Sequence, residues 1–431
     1  MRVIAVVPCV AVLLAGCLLG EAPGAATQPP PPPPTMGEFV TLPTGLACRS
    51  APCEPTVAVD GAGRLIVLGN DGLGVSLDEG RSFEKRPRPP IPPPAPPGSF
   101  DNDATLYVDA SGKLYYHALV TTFEPNARAL ILHGIHVAVS ADAGVTWPVN
   151  THLSLASATP RQTLGSDRQW LAADGNATVY LWYARVSPAF AVASPVGTPS
   201  PVGGVMLARS DDGGRTFGDF RPVAPDQPDA ACANGPGVVD PAGRLHIAFR
   251  CSPRAASLDR TTGFVVATSS DRGQTFTRSL VNATANWLPV LDRARDGAVH
   301  AAWVSVPNGQ VATSTSRDGG ATWSAPVGWT EANERGAPGP WVLARADGRL
   351  DVLLYLETAP RQYQVVLARG FPDGSDATRA VLVPKLDVTS GRAGNTDFAH
   401  FAHLPDGRVV AVWGEAREVL IAVEQRIVAS V

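Results

Sequence analysis

The sequence predicts an all-β protein: a seven-bladed β-propeller of four-stranded antiparallel blades, with six blades as the alternative if one unit is an insertion. Two repeats predict it. A motif reading Ser-x-Asp-x-Gly-x-Thr-Trp, with Phe allowed for Trp and Ser for Thr, returns five times. A second turn, Asp/Gly followed by a β-rich run, returns seven times between residue 54 and the end. A unit recurring at similar spacing sets the architecture before local propensity is considered.

The chain opens with a targeting segment. Arg2 is the only charge before an apolar run from Val3 to Leu14, which is too short for a bilayer needing roughly 20 residues. Leu14-Ala15-Gly16-Cys17 follows and resembles the lipobox of bacterial lipoproteins. The resemblance implies that residues 1–16 are a cleaved signal peptide and that Cys17 carries the lipid. Leu18 stands where enteric bacteria place the Asp of inner-membrane retention, so the expected location is the outer membrane or cell surface. Residues 17–36 contain the run Pro29 to Pro34 and read as a semi-rigid polyproline II tether.

Residues 37–431 then read as one domain. The Asp/Gly turns are Asp60 to Gly63, Asp109 to Gly112, Asp174-Gly175, Asp240 to Gly243, Asp296-Gly297, Asp347-Gly348 and Asp406-Gly407. The runs after them, such as KLYYHALV and RLDVLLYL, are β-branched and aromatic and read as strands. With strands lettered A to D from the axis outward, these turns join A to B and the longer motif joins C to D. The motif runs Ser76 to Phe83, Ser140 to Trp147, Ser210 to Phe217, Ser269 to Phe276 and Ser316 to Trp323, and its acids are assigned as Asp78, Asp142, Asp211, Asp271 and Asp318. The Asp accepts backbone N–H groups across a tight turn and the Gly supplies φ > 0. Unit six keeps only Pro372-Asp373-Gly374, and unit seven is one strand short. Gly37 to Leu42 is the expected missing strand, which would close the ring and remove a sheet edge.

The motif resembles the Asp box, or BNR repeat, of sialidases and related β-propellers. The resemblance implies hairpin staples rather than catalytic groups at these positions. Among sialidases it also implies a three-arginine carboxylate clamp, a Tyr nucleophile activated by Glu, and an Asp acid/base. Mapped onto this chain, a sialidase-like glycoside hydrolase would use Asp103, Arg168, Arg250, Tyr355 and Glu357. The Arg-Ile-Pro motif of that family is absent, and Cys53-Glu54-Pro55-Thr56-Val57 occupies the corresponding stretch. Glu54 there would repel a substrate carboxylate.

The turns occupy one face of the ring, so a ligand site is expected on the other, where the D–A and B–C loops converge. Acids, Arg and aromatic rings gather there, as a sugar site requires. The ligand-binding candidates are Asp101, Asp103, Asp167, Arg168, Trp170, Arg185, Arg250, Trp287 and Arg417. Three functions stay open: binding of a glycan or an envelope protein, exo-α-sialidase or related hydrolysis, and a structural role in assembly of the cell envelope.

The net charge of −4 is nearly neutral, and no Lys/Arg cluster suggests nucleic acid. Beyond Cys17 and the leader, Cys48, Cys53, Cys232 and Cys251 form an even set, which outside the cytoplasm suggests two disulfides. Three connectivities are open, with Cys48–Cys53 and Cys232–Cys251 expected. No zinc spacing or full calcium loop is present, so no metal or cofactor is expected. A monomer attached to the membrane only through its lipid completes the expectation.

Overall fold

A computed structural model describes residues 36–48, 54–126, 129–154, 165–175, 177–186, 189–191, 201–223, 230–253, 263–305, 308–336, 339–360, 362–387, 401–415 and 418–426. Cys17, Cys53, Arg417 and the tether lie outside them.

The described residues are all-β and form seven sheets in a ring. β1 (Phe39–Ala47) comes first. Blade one holds β2 (Thr56–Val59), β3 (Leu65–Gly69), β4 (Gly72–Ser76) and β5 (Glu84–Arg86). Blade two holds β6 (Phe100–Val108), β7 (Leu114–Glu124), β8 (Ala129–Ser140) and β9 (Val149–Ser154). Blade three holds β10 (Gly165–Ala173), β11 (Val179–Val186), β13 (Pro201–Ser210) and β14 (Gly218–Pro222), while β12 (Ala189–Ala191) crosses to pair with β8. In blade four, β15 (Ala230–Asn234) and β16 (Val238–Val239) share the inner position beside β17 (Leu245–Pro253), β18 (Phe264–Ser269) and β19 (Thr277–Asn282). Blade five holds β20 (Ala285–Arg293), β21 (Val299–Ser305), β22 (Val311–Ser316) and β23 (Val327–Gly328). Blade six holds β24 (Trp341–Ala344), β25 (Leu350–Ala359), β26 (Gln362–Gly370) and β27 (Thr378–Asp387). Blade seven is β28 (Phe401–His403), β29 (Val409–Glu415), β30 (Glu418–Glu424) and, outermost, β1.

The ring therefore closes with one strand from each end of the chain. β1 pairs antiparallel with β30 from Phe39↔Glu424 to Pro43↔Leu420. It starts two residues later and runs further than the sequence predicts, through Ala47. The seventh blade is real, and the six-bladed alternative falls.

Both faces of each blade are apolar because each packs against a neighbouring blade. The largest fully buried side chains include Trp182, Trp303, Tyr116, Tyr180 and Tyr355, all on the second strand of a blade. Trp182 keeps its indole N–H satisfied by donating 3.0 Å to the Gly235 carbonyl of the next blade. Gly235 has no alternative, since a Cβ there would lie 1.8 Å from the Pro289 oxygen.

The five long turns share one set of bonds. The Ser hydroxyl donates to the Asp Oδ1 and accepts the Gly N–H at 2.8 Å, as in Ser76, Asp78 and Gly80. The Asp then accepts the Thr or Ser backbone N–H on Oδ1 and its hydroxyl on Oδ2, as from Ser82 at 2.8 and 2.7 Å. In the third copy the acid is Asp212, not Asp211. Ser210 and Thr216 bond to Asp212, whereas Asp211 pairs with Arg209 and Arg272. The Ser-Asp-Asp-Gly-Gly run offers two acids, and only the one two residues after Ser210 reaches across the turn.

These bonds hold the carboxyls of Asp78, Asp142, Asp212, Asp271 and Asp318 down to about 2. In Asp78, Asp271 and Asp318 the largest cause is the hydroxyl of Ser82, Thr275 or Thr322. In Asp142 and Asp212 slight burial pushes the other way and is outweighed by the hydrogen bonds.

A disulfide joins Cys232 to Cys251, directly opposite each other on β15 and β17. Cys48 is also disulfide-bonded; Cys53, its expected partner, lies outside the described residues.

Candidate functional site at the propeller mouth

The inner strands break their register at the end opposite the long turns. β6 slips between Asn102 and Thr105, β10 between Asp167 and Trp170, and β20 between Asn286 and Val290. In the first two, Asp103 (φ 48°) and Arg168 (φ 55°) take left-handed backbone conformations. Such conformations are disfavoured outside Gly and persist where surrounding contacts hold them. Here the contacts are visible. The Asp103 carbonyl accepts Gln169 Nε2 at 2.5 Å, and the Arg168 carbonyl accepts Asn234 Nδ2 at 2.8 Å. The Asn234 carbonyl in turn accepts Trp170 Nε1 at 3.2 Å. Pro236 accepts the Leu291 N–H, and Asp292 accepts the Ala344 N–H at 2.7 Å. Inner strands of blades two to six are thereby linked in series around the axis.

The structure distributes the expected site residues unevenly. Asp103 and Arg168 occupy the bulges of the inner strands of blades two and three, tied through Gln169. Asp167 accepts the Arg168 N–H at 2.8 Å, and its carboxylate lies 3.8 Å from the Arg168 guanidinium. Arg185 is half-buried, and burial pushes its guanidinium below the ordinary arginine range. Arg250 is only 3% exposed, within β17 opposite Ala233. Trp170 is a core residue: it is 4% exposed and meets Trp341 edge-on at 6.1 Å. It therefore offers no open face for stacking. Trp287 contributes backbone to β20, and Arg417 lies outside the described residues.

Asp101 does not face a ligand either. Its side chain is 5% exposed. Tyr116 donates to Asp101 Oδ2 at 2.8 Å, and His136 Nδ1 lies 3.0 Å from the same oxygen. Burial first, then the Asp101 charge, pushes the Tyr116 hydroxyl well up. His136 Nε2 lies 2.6 Å from Asn150 Oδ1, and Asn150 Nδ2 donates 2.8 Å to the Pro90 carbonyl. That last bond orients the amide, so His136 Nε2 is the donor. The chain from Tyr116 through Asp101, His136 and Asn150 fastens the proline-rich connection of residues 87–97 to blade two. Sequence reasoning missed His136 and Asn150, because they meet Asp101 only once strand register is known.

Tyr355 and Glu357 do not form an activated pair. Tyr355 is 1% exposed, and burial alone raises its hydroxyl above the ordinary tyrosine range. Glu357 is exposed, with its backbone N–H donated to the Arg335 carbonyl at 2.8 Å. Among the described residues no group of His, Cys, Asp and Glu is placed to hold a metal ion.

No family model and no curated protein matches this chain. Solved structures do. One is a protein of unknown function from Dyadobacter fermentans, 16% identical, with 90% of this chain and 98% of that chain covered at a TM-score of 0.51. Another is the Hadza microbial sialidase Hz136, 16% identical over 85% of this chain and 74% of that chain, TM-score 0.48. A third is Trypanosoma rangeli sialidase in complex with the inhibitor DANA, 12% identical over 79% of this chain and 56% of that chain, TM-score 0.47. Likeness at this level of identity speaks to fold alone. Sialidases are among the structural neighbours of this β-propeller.

Proposed function

We propose that this chain is a sialidase-like Asp-box propeller that binds a glycan at its mouth and does not hydrolyse sialosides. One observation carries the reading: Tyr355 is sealed in the core and Glu357 stands in solvent. A Tyr nucleophile needs an adjacent base and access to substrate, and Tyr355 has neither arrangement. Binding is supported by the mouth itself, where Asp103, Asp167, Arg168 and Arg185 supply both charge signs, Asp103 and Arg168 from left-handed backbone. Carboxylates accept sugar hydroxyls, and guanidinium groups hold carboxylate or sulfate. The lipobox-like Leu14 to Cys17 and the proline tether support a place at the cell envelope, anchored through Cys17.

A fluorogenic sialoside assay and a glycan array on the purified protein test this. The expected result is array binding that Asp103→Ala and Arg168→Ala together abolish, with no sialoside turnover. Turnover that disappears in Tyr355→Phe would refute the non-catalytic reading. Array binding unchanged in the double variant would move the site off the mouth.

A further inference from the structure

Blade six replaces the long turn of blades one to five with a shorter one. In blades one to five the Gly of the turn packs on the preceding blade, and Gly374 keeps such a contact in blade six, where a Cβ would lie 3.0 Å from Val327. A Cβ on Gly80 would lie 2.4 Å from Ile421, one on Gly144 2.9 Å from Leu73, and one on Gly273 2.4 Å from Leu207. Blade six instead closes a shorter turn, with Phe371 N donating to Ser375 O at 3.0 Å and Gly374 N to Phe371 O at 2.8 Å. Its Ser–Asp bond is reversed in order, with Ser375 following Asp373 rather than preceding it.

Beside this turn an open cleft of about 830 Å³ lies between blades five and six. Trp323, Phe371, Pro372 and Val327 form its apolar walls, and Arg317 and Asp373 stand at its edge. Trp323 and Phe371 are only half-buried. Their positions are fixed: Trp323 Nε1 donates to Ser279 Oγ at 2.9 Å, and the Arg349 guanidinium covers Phe371 at 4.8 Å from the ring centre. Asp373 Oδ1 accepts both the N–H and the hydroxyl of Ser375 at 2.9 and 2.6 Å. Asp373 is exposed, and among the described residues its Oδ2 shows no such bond. Arg317 is 69% exposed and 3.4 Å from Asp296.

We propose that this cleft is a second binding site, on the face opposite the mouth, for a neutral oligosaccharide. Its volume falls in the range of small-molecule sites, and its lining sets the two rings beside the hydroxyls of Thr315, Thr322 and Ser324 and the charges of Arg317 and Asp373. Aromatic walls suit the C–H faces of pyranose rings. Asp373 Oδ2 accepts sugar hydroxyls, and Arg317 donates to hydroxyl or ring oxygens. The cations beside the cleft are offset, Arg317 by Asp296 and Arg349 by Asp347, and Asp373 disfavours an anionic sugar. The ligand class thus differs from that of a mouth lined by arginines.

Isothermal titration with maltotriose, cellotriose and a trimer of β-1,4-linked N-acetylglucosamine tests the site. At least one trimer should bind the wild-type protein, and Asp373→Ala should weaken it about tenfold, the loss expected for a charged hydrogen bond. Arg317→Ala should weaken it as well, and Arg168→Ala should leave it unchanged. Both cleft substitutions are at exposed side chains, and an unchanged melting temperature verifies the fold. No binding of any trimer up to about 10 mM would overturn the proposal. So would binding that persists in the Asp373→Ala, Arg317→Ala double variant. Trimer binding lost only in Arg168→Ala would place the saccharide at the mouth and overturn the cleft, leaving the mouth reading standing.

Discussion

Arg369 grips Glu424 with both terminal nitrogens, at 2.8 and 2.9 Å, across the junction of blades six and seven. The same guanidinium donates through Nε to Asp351 Oδ1 at 2.7 Å. All three side chains are less than 5% exposed. Glu424 also accepts the N–H groups of Gly37 and Val409 at 3.0 Å. His403 and Arg345 each reach Asp351 Oδ2 at 2.8 Å. One arginine therefore joins blade six to both the last strand and the segment before the first.

Arg369→Ala should destabilise the protein by about 3–5 kcal/mol, because it strands two buried carboxylates. Equilibrium urea denaturation measures this. A loss below about 1 kcal/mol would mean that Asp351 and Glu424 are accommodated without their cation.

Stability should fall in acid for the same reason. Although burial pushes the Asp351 carboxyl up, the His403 and Arg369 contacts hold it at about 2; Glu424 is likewise lowered against burial, mainly by Arg369. Lowered folded-state values contribute stability that is present above the ordinary carboxylate range near 4 and is lost as pH falls toward 2. Melting temperature should drop steeply over that window in the wild type and less so in an Asp351→Asn background.

Asp212→Ala should lower the melting temperature more than Asp211→Ala. The first removes three hydrogen bonds within the turn, and the second removes exposed ion pairs, which contribute little. Equal effects, or the reverse order, would return the turn to Asp211.

Asn150→Ala should loosen residues 87–99 without unfolding the ring. It removes the bond to the Pro90 carbonyl and the acceptor for His136 Nε2. Hydrogen exchange at Ile91, Ala95 and Ser99 should speed up, while amides of β7 stay protected. Unchanged exchange would show that packing alone holds the connection.

Cys251→Ser should cost about 3 kcal/mol, the loop-closure value for cysteines separated by 19 residues. Thermal unfolding of the variant against the oxidised and reduced wild type decides this. Equal stability of all three would remove the disulfide from the determinants of the fold.

The ring was legible in the sequence because its turns are written locally. Asp and Gly at set spacing specify each hairpin without reference to the rest of the chain, and the short last unit pointed to Gly37–Leu42. The acid of the third long turn was misread because Asp211 and Asp212 are neighbours of equal chemistry. The mouth was harder. No residue type announces the left-handed backbone at Asp103 and Arg168, since neither is Gly. Rim positions also looked alike in the sequence, although Trp170 and Asp101 turn into blade junctions while Glu357 turns outward. Whether a side chain faces channel, neighbour or solvent depends on a one-residue slip of register, and the bulges in β6, β10 and β20 introduce such slips.

The pairing of β1 with β30 also fixes when the protein can finish folding. Thr44 Oγ1 bonds to the Val419 carbonyl across 375 residues of chain, so the first strand to emerge in synthesis waits for almost the last. Until then the growing array has an open seam at each end, and contacts of such long range form slowly. Escort by a holding chaperone would matter most in that interval, and a synthetic peptide of residues 37–47 should be able to occupy the vacancy and trap the chain short of its native state.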